Sequence, residues 1–114
     1  MRIQISEIEH GLRLVTLNGI LDSHGVYNVE VDFIRYCVEG RHNVLVDFSK
    51  VSYISSIGIH MLIHTAKLVR ARGGKMALLD PQHNVADVLE VVGALHIISI
   101  YYGLRSALAG MSDG

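Results

Sequence analysis

Residues 52–60 read SYISSIGIH, placing two adjacent serines, Ser55 and Ser56, between an apolar run and the start of another, with His60 and His64 following four apart. Three kinds of chemistry suit such residues. The first is nucleophilic catalysis, which needs a base within hydrogen-bond reach of the serine and an oxyanion hole. On a helix, His60 and His64 are expected to project away from its first turn. No GxSxG elbow, GxGxxG fingerprint or phosphate-loop GxxxxGK[ST] occurs, and Gly73-Gly74-Lys75 follows a helical segment instead of preceding one. No enzymatic constellation assembles, so the chain is expected not to be an enzyme. The second is metal binding. His60 and His64 have the i, i+4 spacing of a zinc helix, but the Glu of HExxH is missing and the sequence offers no third ligand. They are expected to be solvated surface histidines, with no metal and no cofactor.

The third is phosphate chemistry. A serine at a strand-to-helix junction lies beside free backbone N–H groups and the positive end of the helix. An ordinary N-cap is the commoner use of such a serine, contributing about 1 kcal/mol. A phosphoacceptor is the functional alternative. A phosphate would add roughly −1.5 to −2 charge, which that helix end tolerates, and would change the surface shown to a partner.

The elements that must position these residues follow from hydrophobic periodicity. Ile3, Ile5 and Ile8 suggest a first strand, His10-Gly11 a turn, and Leu12, Leu14, Leu17 and Ile20 a second strand, together an antiparallel hairpin. Asp22 or Ser23 can cap a helix carrying Val26, Val29, Phe33 and Cys37, with Gly40 as its stop. NVLVDF (43–48) reads as a short buried strand. From about Ile57 to Arg72 the period is helical, with Ile59, Leu62, Ile63, Ala66 and Val69 as the core stripe and Ile57, Met61 and Leu68 on the opposite side, beside the histidines. An exposed apolar group there is expected to form a docking surface. KMALLD is a further strand, Asp80-Pro81 opens a helix with proline at an early position, and Val85, Val88, Leu89 and Val92 form its stripe up to Gly93. HIISIY is a last strand and GLRSALAGM a final helix. Helices linking successive strands imply parallel neighbours. The expected fold is α/β, a mixed sheet of about four to five strands with about four helices, in a single domain spanning 1–114.

Bulk properties agree with this architecture. The chain has 114 residues, 50% hydrophobic and 18% charged, with a net charge of −1, which suits one well-buried globular unit. Scattered Lys and Arg give no basic stripe, so no direct nucleic-acid contact is expected. The one cysteine, Cys37, sits in an apolar helical pattern and reads as a packed thiol in a reducing compartment. No apolar run reaches the roughly 20 residues that span a bilayer, so no membrane insertion is expected and a bacterial-type cytoplasmic location is.

Four segments, in order, resemble the STAS domain of bacterial anti-sigma factor antagonists and sulfate-transporter tails. NGILD (18–22) is similar to that family's G-x-L-D turn, and VLVDFSKVSYISSIGI (44–59) to its strand followed by D-[ST]-[ST]-G at a helix start. ARGGKMALLD (71–80) resembles its helix-GG-strand passage, and VADVLEVVGALHIISIYYGLRSAL (85–108) its last helix, final strand and C-terminal helix. The resemblance implies that Ser56, two positions before Gly58, is the phosphoacceptor, with Ser55 as the alternative. Ser55 stands where the family has Asp, and Ile57 where it has a second Ser or Thr. The resemblance further implies that the unphosphorylated domain binds an anti-sigma factor serine kinase, freeing a sigma factor, and that a PP2C-type phosphatase reverses the phosphorylation that blocks binding. Asp22, Ser23, His24, Ser55, Ser56, Ile57, Gly58, His60, Met61 and His64 are expected around the docking face. The rival expectation, favoured by the missing Asp, is an unphosphorylated interaction module of a transport or sensory complex.

Overall fold

The computed structural model describes residues 1–8, 11–40 and 43–111. The chain forms β1 (Arg2–Ile8), β2 (Leu12–Leu21), α1 (Ser23–Val38), β3 (Asn43–Ile54), α2 (Ser56–Ala71), β4 (Met76–Leu79), α3 (His83–Val91), a 3-10 turn (Ala94–His96), β5 (Ser99–Tyr101) and α4 (Leu104–Met111). The sheet order is β1-β2-β3-β4-β5, with β1 antiparallel to β2 and all other neighbours parallel. This is the mixed five-stranded α/β sheet with four α-helices that the periodicity implies. Of the turn expected at His10-Gly11, Gly11 has the positive φ of 71° that suits glycine, while His10 lies outside the described residues.

The two faces of the sheet are packed differently. Val15, Leu17, Val44, Val46 and Phe48 meet Val26, Val29, Phe33 and Cys37 of α1, Leu62, Ala66 and Val69 of α2, and Val85 and Leu89 of α3 in the main core. On the other face α4 buries Ala107 and Met111 over Leu12, Leu45, Ala77 and Leu79, with Leu108 half-buried beside them. Three helices therefore cover one side, and the other side is closed at one end alone. Arg13 and Arg72 donate to the Tyr36 and Cys37 carbonyls at 2.9 and 2.8 Å, so two cations sit where the dipole of α1 is negative. Beneath them Cys37 is fully buried, and desolvation pushes its thiol up to about 12.

Several elements depart from the sequence expectation. β3 runs on past Phe48 to Ile54, because its twelve residues lie against the ten of β2 through two register shifts, at Thr16/Asn18 and Gly19/Ile20. Each shift inserts one extra residue into β3, so its buried positions after Phe48 are Val51 and Ile54, three apart instead of two. Pro81 lies before α3, whose N-cap is Gln82. Asp80 makes the turn at φ 53° and accepts the Gly103 N–H on Oδ1 at 2.8 Å. Val88 and Val92 stay 39% and 51% exposed, leaving Val85 and Leu89 to anchor α3. The HIISIY segment supplies only a three-residue strand, its first part being spent on the 3-10 turn.

Candidate functional site

Strands β2 and β3 run parallel and finish together, with Leu21 paired to Ile54. Each then turns straight into a helix. Asp22 is the N-cap of α1, its Oδ1 accepting the Gly25 N–H at 2.8 Å; Ser55 is the N-cap of α2, its Oγ accepting the Gly58 N–H at 3.3 Å. The two starts thus share one device, a capping side chain followed three residues later by glycine. Glycine is needed in both places because the helix starts press on β2. A Cβ on Gly25 would collide with the Ile20 carbonyl, and one on Gly58 would stand 2.8 Å from the Leu21 oxygen and 2.9 Å from Ile54 Cγ1. A further seam joins them: Ser55 donates both its N–H (2.9 Å) and its Oγ–H (2.8 Å) to the Leu21 carbonyl.

This geometry separates the two serines. Ser55 is half-buried, and its hydroxyl is engaged as donor and acceptor at once. Ser56 occupies the first helical position, is exposed, and makes no side-chain hydrogen bond among the described residues. Of the first-turn N–H groups, that of Gly58 goes to Ser55 Oγ and that of Ile59 to the Ser55 carbonyl. Those of Ser56 and Ile57 have no partner among the described residues and lie at the positive helix end. The Ser56 hydroxyl is therefore both accessible and set in a frame that favours an anion.

The outward face of α2 carries Ser56, Ile57, His60, His64 and Lys67, all exposed. His60 shares this row with Ser56, one turn on, so it does not project away from the first turn as expected. Its ring lies parallel to that of His64, at 4° and 6.2 Å between centroids. No hydrogen bond joins either ring to Ser56 among the described residues, so no nucleophile–base pair is formed. Nor does any group of three or more His, Cys, Asp or Glu converge as metal ligands among them.

Met61 does not join the exposed group. It is 1% exposed and packed in the main core, and Leu68 is half-buried. Ile59, Leu62, Ala66 and Val69 of the stripe read in the sequence are buried, and the arc widens to take in Gly58, Met61 and Thr65, so its centre lies roughly 50° round the helix, at 100° per residue, from the one expected. Thr65 can take a buried place because its hydroxyl donates to the Met61 carbonyl at 2.7 Å. Ile57 is left as the exposed apolar residue of that trio, at 47%. On α1, which packs beside α2, Ser23 and His24 are exposed in the first turn. Two residues on the same outward face were not anticipated: Tyr27 and Val31, 84% and 76% exposed. Their signal was present in the sequence, since both fall outside the Val26, Val29, Phe33 and Cys37 stripe at the spacing i, i+4.

No helix among the described residues is long and apolar enough to cross a membrane. Comparison with known proteins places the fold and the chain. The STAS domain family model matches residues 4–107. The anti-sigma F factor antagonist of Paenibacillus polymyxa is 30% identical over 112 residues, covering 95% of this chain and 94% of that protein. A STAS-domain protein of Planctomyces limnophilus superposes with a TM-score of 0.86 at 21% identity, covering 96% and 97% of the two chains. The anti-sigma factor antagonist SpoIIAA superposes in its unphosphorylated form with a TM-score of 0.76 at 19% identity, over 98% of this chain and 100% of that one. Its phosphorylated form, from Bacillus, does so at 0.71 and 18%, over 97% and 100%. With the glycine-backed helix starts, the mixed sheet order and a match over nearly its whole length, the chain belongs to the STAS domain family.

Proposed function

We propose that this protein is an anti-sigma factor antagonist whose unphosphorylated form binds an anti-sigma factor serine kinase and is switched off by phosphorylation of Ser56. The observation that carries this reading is the division of labour between the serines: Ser55 is tied into the fold, and Ser56 is exposed beside unspent N–H groups at a helix start. Docking uses the exposed outward faces of α1 and α2, with Ser23, His24, Tyr27 and Val31 on one helix and Ser56, Ile57, His60 and His64 on the other. Asp22, Ser55 and Gly58 hold those faces in place, and Met61 supports them from the core.

In the switching step the kinase presents ATP, and Ser56 Oγ forms a bond to the γ-phosphorus as the bond to ADP breaks. The hydroxyl proton leaves to a base of the partner. The product carries roughly −1.5 to −2 charge at the centre of the docking face, where burial against the partner would cost desolvation and repel acidic groups. A PP2C-type phosphatase restores the hydroxyl. The domain itself performs no catalysis, and regulation of sigma-factor-dependent transcription follows from who holds the kinase.

Incubation with the cognate kinase and ATP, followed by peptide mass spectrometry, tests the assignment. Phosphate on Ser56, its loss in Ser56→Ala and loss of kinase binding in Ser56→Glu are expected. Phosphate elsewhere, or undiminished binding by Ser56→Glu, would refute it. A second reading, a constitutive module of a transport or sensory complex, draws on Ser55 standing where the family has an acid. It predicts capture of a non-kinase partner equally by the wild type and Ser56→Glu.

A further inference from the structure

The sheet face opposite α1 and α2 is closed by α4 only over Leu12, Leu45, Ala77 and Leu79. Beyond that end, strands β1, β2 and β3 expose a polar surface, and a cleft of about 190 Å³ is lined by Arg2, Gln4, Thr16, Asn18 and Lys50. The strand register shows how these residues are brought together. Arg2 pairs with Asn18, and Asn18 with Lys50, forming one row across three strands; Gln4, Thr16 and Asp47 form the next row. At the roughly 4.8 Å spacing of neighbouring strands, the Arg2 and Lys50 backbones stand about 10 Å apart with Asn18 between them. That span lets two long cationic side chains close on one small anion.

Lys50 reaches this face only because of the register shift. With Thr16 opposite Asp47, an unbroken ladder would set Ser49 opposite Asn18 and turn Lys50 towards the core side. The extra residue re-aims it outward. Asp47, in the next row, accepts the Ser49 N–H on Oδ1 at 2.9 Å and forms no ion pair with either cation. Arg2 and Lys50 have no ion-pair partner among the described residues, and Gln4, Thr16 and Asn18 add side-chain donors with no internal bond there. Two cations without an ion-pair partner, in a concave and mainly polar site with the Asp47 carboxylate in the neighbouring row, give a net positive potential, and a guanidinium matches the geometry of a tetrahedral oxyanion.

We propose that this cleft is a binding site for a phosphate-class oxyanion, held between Arg2 and Lys50 over Asn18. It lies on the opposite side of the sheet from the two helices and rests on no reading of Ser56. The anion can be free or carried on an organic group, and the exposed Ile20 and Tyr53, paired across β2 and β3 just beyond the cleft, would touch only the latter.

The test is a titration of the isotope-labelled full chain with inorganic phosphate and, separately, phenyl phosphate, followed by amide and arginine side-chain NMR at ionic strength matched with chloride. Saturable shifts at Arg2, Gln4, Thr16, Asn18 and Lys50 are expected from both. Tighter binding of phenyl phosphate with added shifts at Ile20 and Tyr53 would identify an organic phosphate as the ligand; equal affinity would identify the free ion. Arg2→Gln and Lys50→Gln should each weaken binding roughly three- to tenfold, with a preserved spectrum because both side chains are exposed. Shifts that fail to saturate, that chloride alone reproduces, or that persist unchanged in the Arg2→Gln/Lys50→Gln double variant would overturn the proposal.

Discussion

Replacing Ser55 with alanine removes two hydrogen bonds that a single hydroxyl makes, and replacing Ser56 removes none within the domain. The expected cost of Ser55→Ala follows from its partners. Loss of the cap to the Gly58 N–H is worth about 1 kcal/mol. Loss of the 2.8 Å bond to the Leu21 carbonyl is worth about 1 kcal/mol more, held there because that carbonyl keeps the Ser55 N–H at 2.9 Å and is not orphaned. The sum, about 2 kcal/mol, corresponds to a fall in Tm of about 8 °C for a domain of this size. Ser56→Ala, at an exposed position, should stay within about 0.5 kcal/mol of the wild type. Urea and thermal denaturation of the two variants in parallel read both numbers. Equal destabilisation by the two substitutions, or a Ser55→Ala variant as stable as the wild type, would refute the division of roles on which the functional reading stands.

Two other perturbations have defined outcomes. Gly58→Ala drives a methyl group against the Leu21 carbonyl and Ile54, so a loss of about 1–3 kcal/mol in urea denaturation is expected, together with weaker kinase binding while Ser56 is still intact. The Cys37 thiol, raised from 9.0 to about 12 by burial, is neutral in folded and unfolded chains alike below pH 9. Above that value only the unfolded chain ionises, so stability falls as the pH rises from about 9 to about 12, by about 1.4 kcal/mol per unit. Denaturation curves of the wild type and Cys37→Ala should diverge in that window and run parallel below it, and the native thiol should resist alkylation at neutral pH.

What could be read from the sequence depended on whether a side-chain period survived tertiary packing. The order of elements was legible because α1 and the first half of β3 keep their periods of 3.6 and 2. The second half of β3 was not, since two bulges turn the buried set into Phe48, Val51 and Ile54, a spacing of three that breaks the strand period and is shared with helices. α2 was legible as a helix but not in its roll: it packs against both the sheet and α1, so its apolar arc is too wide for the sequence to fix a centre, and Met61 goes inward while Ile63 moves to the edge. Pro81 suited a helix start, but the left-handed turn at Asp80 pushed that start two residues later. At the site, the resemblance pointed to Ser56. It could not say why Ser55 is different, because that depends on the Leu21 carbonyl, 34 residues away in sequence.

The Ser55 hydroxyl also bears on how this chain departs from the family pattern that its sequence resembles. The STAS pattern read in the sequence has an acid at this place. A carboxylate can take the Gly58 N–H but has no proton to give Leu21. Aspartate here would keep the cap but give up the 2.8 Å bond to the Leu21 carbonyl, so replacing Ser55 with the family residue is not neutral. The start of α2 is uncharged as a result. A kinase that identifies its substrate by an acid ahead of the acceptor serine would meet a neutral, already committed group. On the reading proposed above, that one proton would set this chain apart from a substrate that carries the family's acid.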